Sequence, residues 1–287
     1  MKGEIGMEKE QIRQLSVIAT NIRKHAIEAV YSAQAGHPGG SLSIADILSV
    51  LYFKEMKVDP ANPKNPDRDR FVLSKGHCSP ALYGALAEKG FFPKEEIKKF
   101  RQINTYLQGH PEMKGVPGVD MSTGSLGQGI CAANGMALAG KIDGKSYRVY
   151  SILGDGELEE GQVWEAAMFA PHYKLDNLTA FVDFNGLQID GEIAKVMSPL
   201  PIDEKFKAFG WNVIVIDAHD FNQIEAALNE AKATKGKPTC IVAKSIKGKG
   251  VSYMENQASW HGSAPNTEQY ETAMAELNAV LKELEVK

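Results

Sequence analysis

The sequence predicts an α/β fold with a mostly parallel central sheet and helices on both faces. Three observations lead there. Short apolar runs of strand length occur at 71–74, 147–153, 178–183, 211–216 and 239–244. Helical patterns at about 160–171, 203–209 and 221–233 separate the later runs, and strand–helix alternation of this kind favours parallel strands covered on both sides. No repeat, low-complexity tract or linker interrupts the 287 residues, so residues 1–287 read as a single α/β domain.

Residues 8–34 place Ile12, Leu15, Ile18, Ala19 and Ile22 at helical spacing without internal Gly or Pro, which predicts a long first helix. AGHPGGSLSIADILSVLYF reads as a glycine-rich loop, with Ser41 capping a second helix that runs to about Phe53. KVDPANPKNPDRDR is a polar loop punctuated by prolines. The strand FVLS leads through a Gly-His turn to a helix at 81–89. After irregular residues 101–124, small residues at Ala132, Ala133, Gly135, Ala137 and Ala139 suit a closely packed helix over 126–140. A final amphipathic helix covers 267–284.

With 43% apolar residues the chain can bury a large core, and a net charge of -4 argues against a nucleic-acid surface. No apolar run approaches the roughly 18 residues of a membrane span. The charged N-terminus, MKGEIGMEKEQIRQL, is helical in pattern and lacks a signal-peptide core. Cys78, Cys131 and Cys240 are odd in number and dispersed, as for buried thiols in a reducing cytoplasm. The expectation is a cytoplasmic protein with neither nucleic-acid nor membrane partners.

The run VYSILGDGELEEG ends an apolar strand on Asp155, between two glycines. In open parallel sheets ligands bind outside the carboxyl ends of strands, and the glycines allow backbone N–H groups to approach an anion. Thirty residues later, LTAFVDF ends at Asn185 and enters the turn NGLQIDG. Adjacent parallel strands would bring the carboxylate and the amide oxygen to one edge. With backbone carbonyls, that is hard oxygen ligation suited to Mg²⁺ or Ca²⁺, and Mg²⁺ commonly completes its octahedron with phosphate oxygens. Asp, Asn and Gly also favour turns, so either strand end alone is ambiguous; the spaced pair is more specific. No Walker A pattern occurs, and GSLGQG lacks dinucleotide-binding spacing.

Four of seven histidines adjoin a glycine: His37, His77, His110 and His261. Imidazole titrates near neutrality and suits proton transfer or hydrogen bonding to hydroxyls and phosphates. Zinc is disfavoured because no pair has short ligand spacing. His25, His172 and His219 read as structural.

AGHPGGSLS, FVLSKGH, GHPE, STGSLGQGI, GDGELEEGQVWEA, FNGLQIDG and SIKGKGVSYMEN followed by WHG occur in that order along nearly the whole chain. Together they resemble the N-terminal, diphosphate-binding domain of transketolase. One position departs: Phe184 precedes Asn185, where the family's motif has Asn or Asp. The resemblance implies thiamine diphosphate and Mg²⁺ as cofactors, with Ca²⁺ or Mn²⁺ as substitutes. Asp155, Asn185 and the carbonyl of Leu187 would hold the metal. Gly156 and His77 would contact the diphosphate, with Lys247 near it and the channel mouth. Gly124 and Leu126 would lie along the aminopyrimidine. His37, His77, His110 and His261 would be the catalytic histidines, with His37, His110 and His261 lining the substrate channel and His261 also beside the diphosphate. Glu160 would lie at a subunit interface; Glu157 and Glu159 are assigned to the surface or to supporting positions.

The implied reaction moves a two-carbon ketol unit from a ketose phosphate to an aldose phosphate, as in the pentose phosphate pathway. The chain is less than half of a complete family member, and the pyrimidine-binding and C-terminal domains are absent. The terminal helix favours one subunit of a split enzyme over a fragment. A C-terminal partner subunit in a heterotetramer follows, with little or no activity for this chain alone. The alternatives are another thiamine diphosphate-dependent ketol transferase or synthase on different sugars, or a non-catalytic assembly homologue.

Overall fold

A computed structural model describes residues 7–286. The beginning of the charged N-terminal pattern, residues 1–6, lies outside the described residues. The chain enters through α1 (Lys9–Ala33), α2 (Pro38–Ser43) and α3 (Ala45–Val50), which continues into a π-helical turn at Leu51–Glu55. β1 (Arg70–Leu73), α4 (Ser79–Lys89), α5 (Gln128–Ile142), β2 (Val149–Gly154) and α6 (Gly161–His172) follow. β3 (Leu178–Phe184) leads into a hairpin of β4 (Leu187–Gln188) and β5 (Gly191–Glu192), then α7 (Ile193–Val196) and α8 (Ile202–Ala208). β6 (Asn212–Asp217), α9 (Phe221–Ala233), β7 (Thr239–Lys244) and α10 (Thr267–Val286) complete the order.

The main sheet runs β1–β2–β3–β7–β6, and every pairing is parallel. Side chains alternate across it, as strand geometry requires. Phe71, Leu73, Tyr150, Ile152, Phe181 and Ile241 join the core under α1, α3, α4 and α9. Val72, Val149, Leu153, Leu178, Val182 and Val242 face α5, α6 and α8. Burial on both faces explains why the strands read as continuous apolar runs, each large side chain contributing about 1.5–3 kcal/mol. α10 packs on α1 through a smaller cluster that includes Ile27, Leu42, Ala273 and Leu277.

The second helix differs from its predicted form. It begins at Pro38, a favourable first helical position, and Ser41 lies inside it, its Oγ donating to the carbonyl of His37 at 2.7 Å rather than capping. Two of the presumed loop glycines, Gly39 and Gly40, are therefore helical, while Gly36 stays outside the helix. They serve close packing: a Cβ on Gly39 would lie 2.8 Å from the Trp260 carbonyl, and one on Gly40 2.8 Å from Cys78 Sγ. The turn NGLQIDG contains the antiparallel β4–β5 pair, too short for a periodic signal.

α5 starts behind Gly127, at φ +82°, and its first turn presses against the end of β1. A Cβ on Gly129 would meet Ser74 Cα at 2.5 Å, a backbone contact that no rotamer change relieves. Overpacking costs about 1–3 kcal/mol, more than the roughly 1 kcal/mol that alanine gains within a helix. Gly129→Ala should accordingly lower stability by about 1–2 kcal/mol; an unchanged urea midpoint would contradict this packing.

Candidate functional site

The carboxyl ends of β1, β2, β3 and β7 converge with α2 on a cavity of about 340 Å³. Register explains the convergence. Gly154 pairs with Asp183, and Asp183 with Ala243, so Asp155, Asn185 and the segment after Lys244 emerge at one edge. His37, His77, His261, Gly124, Leu126, Asp155, Gly156, Glu160, Asn185, Leu187 and Lys247 line the cavity. His110 stands outside that lining, with its ring centre 6.4 Å from that of His37 and its ring against Gly124.

Asp155 is buried, accepting from the N–H groups of Gly156 at 2.9 Å and Gly186 at 2.6 Å. Burial, reinforced by the neighbouring Asp183 carboxylate, pushes its pKa up to about 6. Asn185 donates its amide N–H to Asp183 Oδ2 at 3.1 Å, which fixes which end of the amide is oxygen; that Oδ1 accepts from Leu187 N at 3.1 Å. The Leu187 carbonyl accepts from Lys247 Nζ at 3.3 Å. A carboxylate, an amide oxygen and a carbonyl at one strand edge match the donor chemistry of a hard divalent cation.

Beside these oxygens stand the histidines. The His77 ring stacks on His261 at 5.1 Å, and His37 meets His77 and His261 edge-on at 5.1 and 5.5 Å. Burial lowers His37 to about 4 and His261 to about 3, with Arg101 adding to the first shift and Lys247 to the second. His77 is pushed down by burial and Lys75, and His110 by burial and Arg101. All four rings are thus neutral near pH 7. Lys247 Nζ lies 3.1 Å from His261 Nδ1, making that nitrogen the acceptor and leaving the ring proton on Nε2. His37 Nδ1 and Thr123 Oγ1 are buried without a hydrogen-bond partner among the described residues.

Three charged groups carry more of the site than their sequence surroundings suggest. Lys75 is buried and bridges Asp183 Oδ2 at 2.5 Å and the Gly40 carbonyl at 3.0 Å. Asp183 also accepts from Ser43, Asn185 and Ser245. Its one sequence signal is an acid inside the apolar run LTAFVDF. Glu157 corrects the surface alternative: it is 2% exposed. One oxygen accepts from Ser74 Oγ at 2.5 Å and Gly127 N at 2.9 Å, the other from Gly154 N at 3.0 Å. Its carboxylate thereby ties β1, the entry to α5 and the end of β2 together. Glu159 and Glu160 are exposed, with Glu160 at the N-terminus of α6. His172 is exposed, while His25 bonds Glu88 at 2.7 Å in a partly buried contact outside the cavity lining.

Removing the Glu157 carboxylate would leave two backbone N–H groups without acceptors. Each such buried donor costs about 1–3 kcal/mol, so Glu157→Ala should lower stability by about 2 kcal/mol or more. Glu157→Gln, which keeps an acceptor, should lose less. Equal denaturant midpoints for the wild type and the alanine variant would reject the clamp.

Residues 14–280 match the family described as "Transketolase, thiamine diphosphate binding domain". The chain is 48% identical over 271 residues to the 6-deoxy-6-sulfo-D-fructose transketolase subunit SqwG of Clostridium sp. (strain MSTE9), covering 94% of this chain and 98% of that protein. It is 43% identical over 275 residues to one of the subunits of the apulose-4-phosphate transketolase of Phocaeicola vulgatus, covering 96% and 98%. The solved transketolase of Campylobacter jejuni superposes with a TM-score of 0.87 at 34% identity, over 97% of this chain but 46% of that one. Among the described residues no helix is long and apolar enough to cross a membrane. The chain belongs to the transketolase family and carries its thiamine diphosphate-binding domain.

Proposed function

We propose that this chain is the Mg²⁺- and diphosphate-holding subunit of a two-chain transketolase, which transfers a two-carbon ketol unit from a ketose phosphate to an aldose phosphate. The observation that carries this reading is the convergence of Asp155, Asn185 and the Leu187 carbonyl beside a cluster of neutral histidines. Thiamine diphosphate supplies the nucleophilic carbon and the electron sink for ketol transfer.

The chain's own residues bind, orient and exchange protons. Asp155, Asn185 and Leu187 would hold Mg²⁺, while Gly156, His77 and Lys247 would face the diphosphate. Gly124 and Leu126 would lie along the aminopyrimidine. His261 has its proton on Nε2, so it can donate a hydrogen bond to a substrate oxygen. His37, neutral and lining the cavity, can accept a proton from a substrate hydroxyl or return one. His110 extends the channel outward. The exposed rim, with Glu160, would receive a partner chain carrying the pyrimidine-binding domain, and two such pairs would form a heterotetramer in the cytoplasm. The names of the two subunit-type relatives refer to a sulfonated and a phosphorylated ketose, which makes ketoses with an anionic terminal group the first substrates to assay.

Purified alone, the chain should show negligible ketol transfer, and co-purification with a C-terminal transketolase chain should restore it; robust transfer by the single chain overturns the two-chain reading. Asp155→Ala should abolish Mg²⁺-dependent thiamine diphosphate binding, measured by calorimetry on the assembled enzyme. In the wild type, a proton competes with the metal for Asp155. Affinity should hold above pH 6 and fall by about tenfold per pH unit once pH drops below the Asp155 value of about 6. A flat profile between pH 5 and 7 would remove Asp155 from the metal.

A further inference from the structure

His219 lies in the turn between β6 and α9, outside the cavity lining, yet it belongs to a buried polar chain that ends at the cavity. Arg23 of α1 grips Asp46 of α3 through two contacts, at 3.1 and 2.5 Å, and its Nε donates to the Leu42 carbonyl at 3.3 Å. Asp46 Oδ2 also meets His219 Nδ1 at 2.7 Å, and the Ile246 N–H donates to His219 Nε2 at 3.0 Å. A backbone N–H can only donate, so Nε2 is the acceptor and the ring proton sits on Nδ1, directed at Asp46. Both nitrogens of a largely buried ring are thereby committed.

The next residue after Ile246 is Lys247, whose amine reaches the Leu187 carbonyl and His261. The segment is pinned on its other sides by Ser245 to Asp183 and by Gly248 N to the Gly39 carbonyl at 2.9 Å. The Ile246 carbonyl accepts from Lys249 N at 3.2 Å and the Lys247 carbonyl from Asn256 N at 2.9 Å, while the His219 bond holds the Ile246 N–H, one peptide before Lys247. Arg23 and Asp46 hold the opposite wall, α2 and α3, so one chain of contacts sets α2 and the Lys247 segment relative to each other.

We propose that His219 is a positioning residue for Lys247: by accepting from the Ile246 amide, it aims the Lys247 amine at the metal-side carbonyl and the diphosphate. This rests on the function proposed above, because the affinity that His219 supports is that for Mg²⁺ and thiamine diphosphate. Outer partners of metal and anion ligands commonly govern affinity by 10–100-fold.

The test is a double-mutant cycle on the assembled two-chain enzyme, with Mg²⁺–thiamine diphosphate titrated calorimetrically. His219→Leu should raise Kd by about tenfold, while in a Lys247→Ala background the same change should move Kd less than about twofold. His219→Gln, which presents an acceptor and a donor on one planar group, should recover most of the affinity and covers the case in which the leucine variant fails to fold. Hydrogen exchange at the Ile246 amide, measured without cofactor, should accelerate in the leucine variant and stay near wild type in the glutamine variant. Additive effects of His219 and Lys247, or unchanged Ile246 exchange, overturn the positioning role alone. A wild-type complex that binds no thiamine diphosphate overturns the proposed function as well.

Discussion

The buried contact between Lys75 and Asp183 is the constraint on which the site depends. Two charges removed from water are expensive, and only close approach with full hydrogen bonding offsets the cost. Here the pair meets at 2.5 Å, and the Gly40 carbonyl, Ser43, Asn185 and Ser245 satisfy the remaining bonds. Asp183 is held below, and Lys75 above, the ordinary range, each by the charge of the other working against burial. Those contacts come from the ends of β1, β3 and β7 and from α2. Moving any one of these elements would expose an unpaired charge to the apolar interior, so the geometry of the strand edge is set by the most costly interaction to break.

Once Lys75 and Asp183 neutralise each other, the cavity retains an unbalanced pair. Asp155 is pushed up by burial and by Asp183, and Lys247 is pushed down by burial and by Lys75. Between them the histidines stay uncharged, because burial and the nearby cationic side chains of Lys75, Arg101 and Lys247 all disfavour a further positive charge. A buried carboxylate on one side and a buried ammonium on the other form a field suited to a divalent cation next to an anion. Neutral rings beside that field can exchange protons with hydroxyl groups without first losing a charge. The electrostatics and the donor chemistry point the same way, although they arise from different residues.

Supporting residues give the arrangement its rigidity. Glu157 gathers two backbone N–H groups and a serine hydroxyl around a carboxylate that points inward. Glycines at 39, 40, 76, 129 and 156 admit backbones and side chains to distances that a Cβ would block. Arg23, Asp46 and His219 extend the framework behind the cavity. The result is a set of loops with little freedom, as expected where catalysis relies on groups fixed before the substrate arrives.

Much of this is readable from the sequence. Apolar runs of strand length reveal the five main strands, since a strand buried on both faces cannot hide its composition. Asp155 and Asn185 are visible because two such runs, thirty residues apart, each end in a glycine turn, and the histidines because four of the seven adjoin a glycine. Local patterning therefore determined the main-sheet strands, the longer helices between them, their parallel arrangement and the residue types at the strand ends. Tertiary structure alone decided the partners. Lys75 and Asp183 lie 108 residues apart, His219 and Asp46 173 apart, and nothing in either neighbourhood names the other. The same holds for Glu157, whose acidic surroundings suggest solvent while its partners come from the end of β1 and the start of α5. Helical α2 is hidden because its glycines read as a loop until the side chains pressing on them are known. Periodicity records what a segment buries; only the packed chain records what each buried charge is buried against.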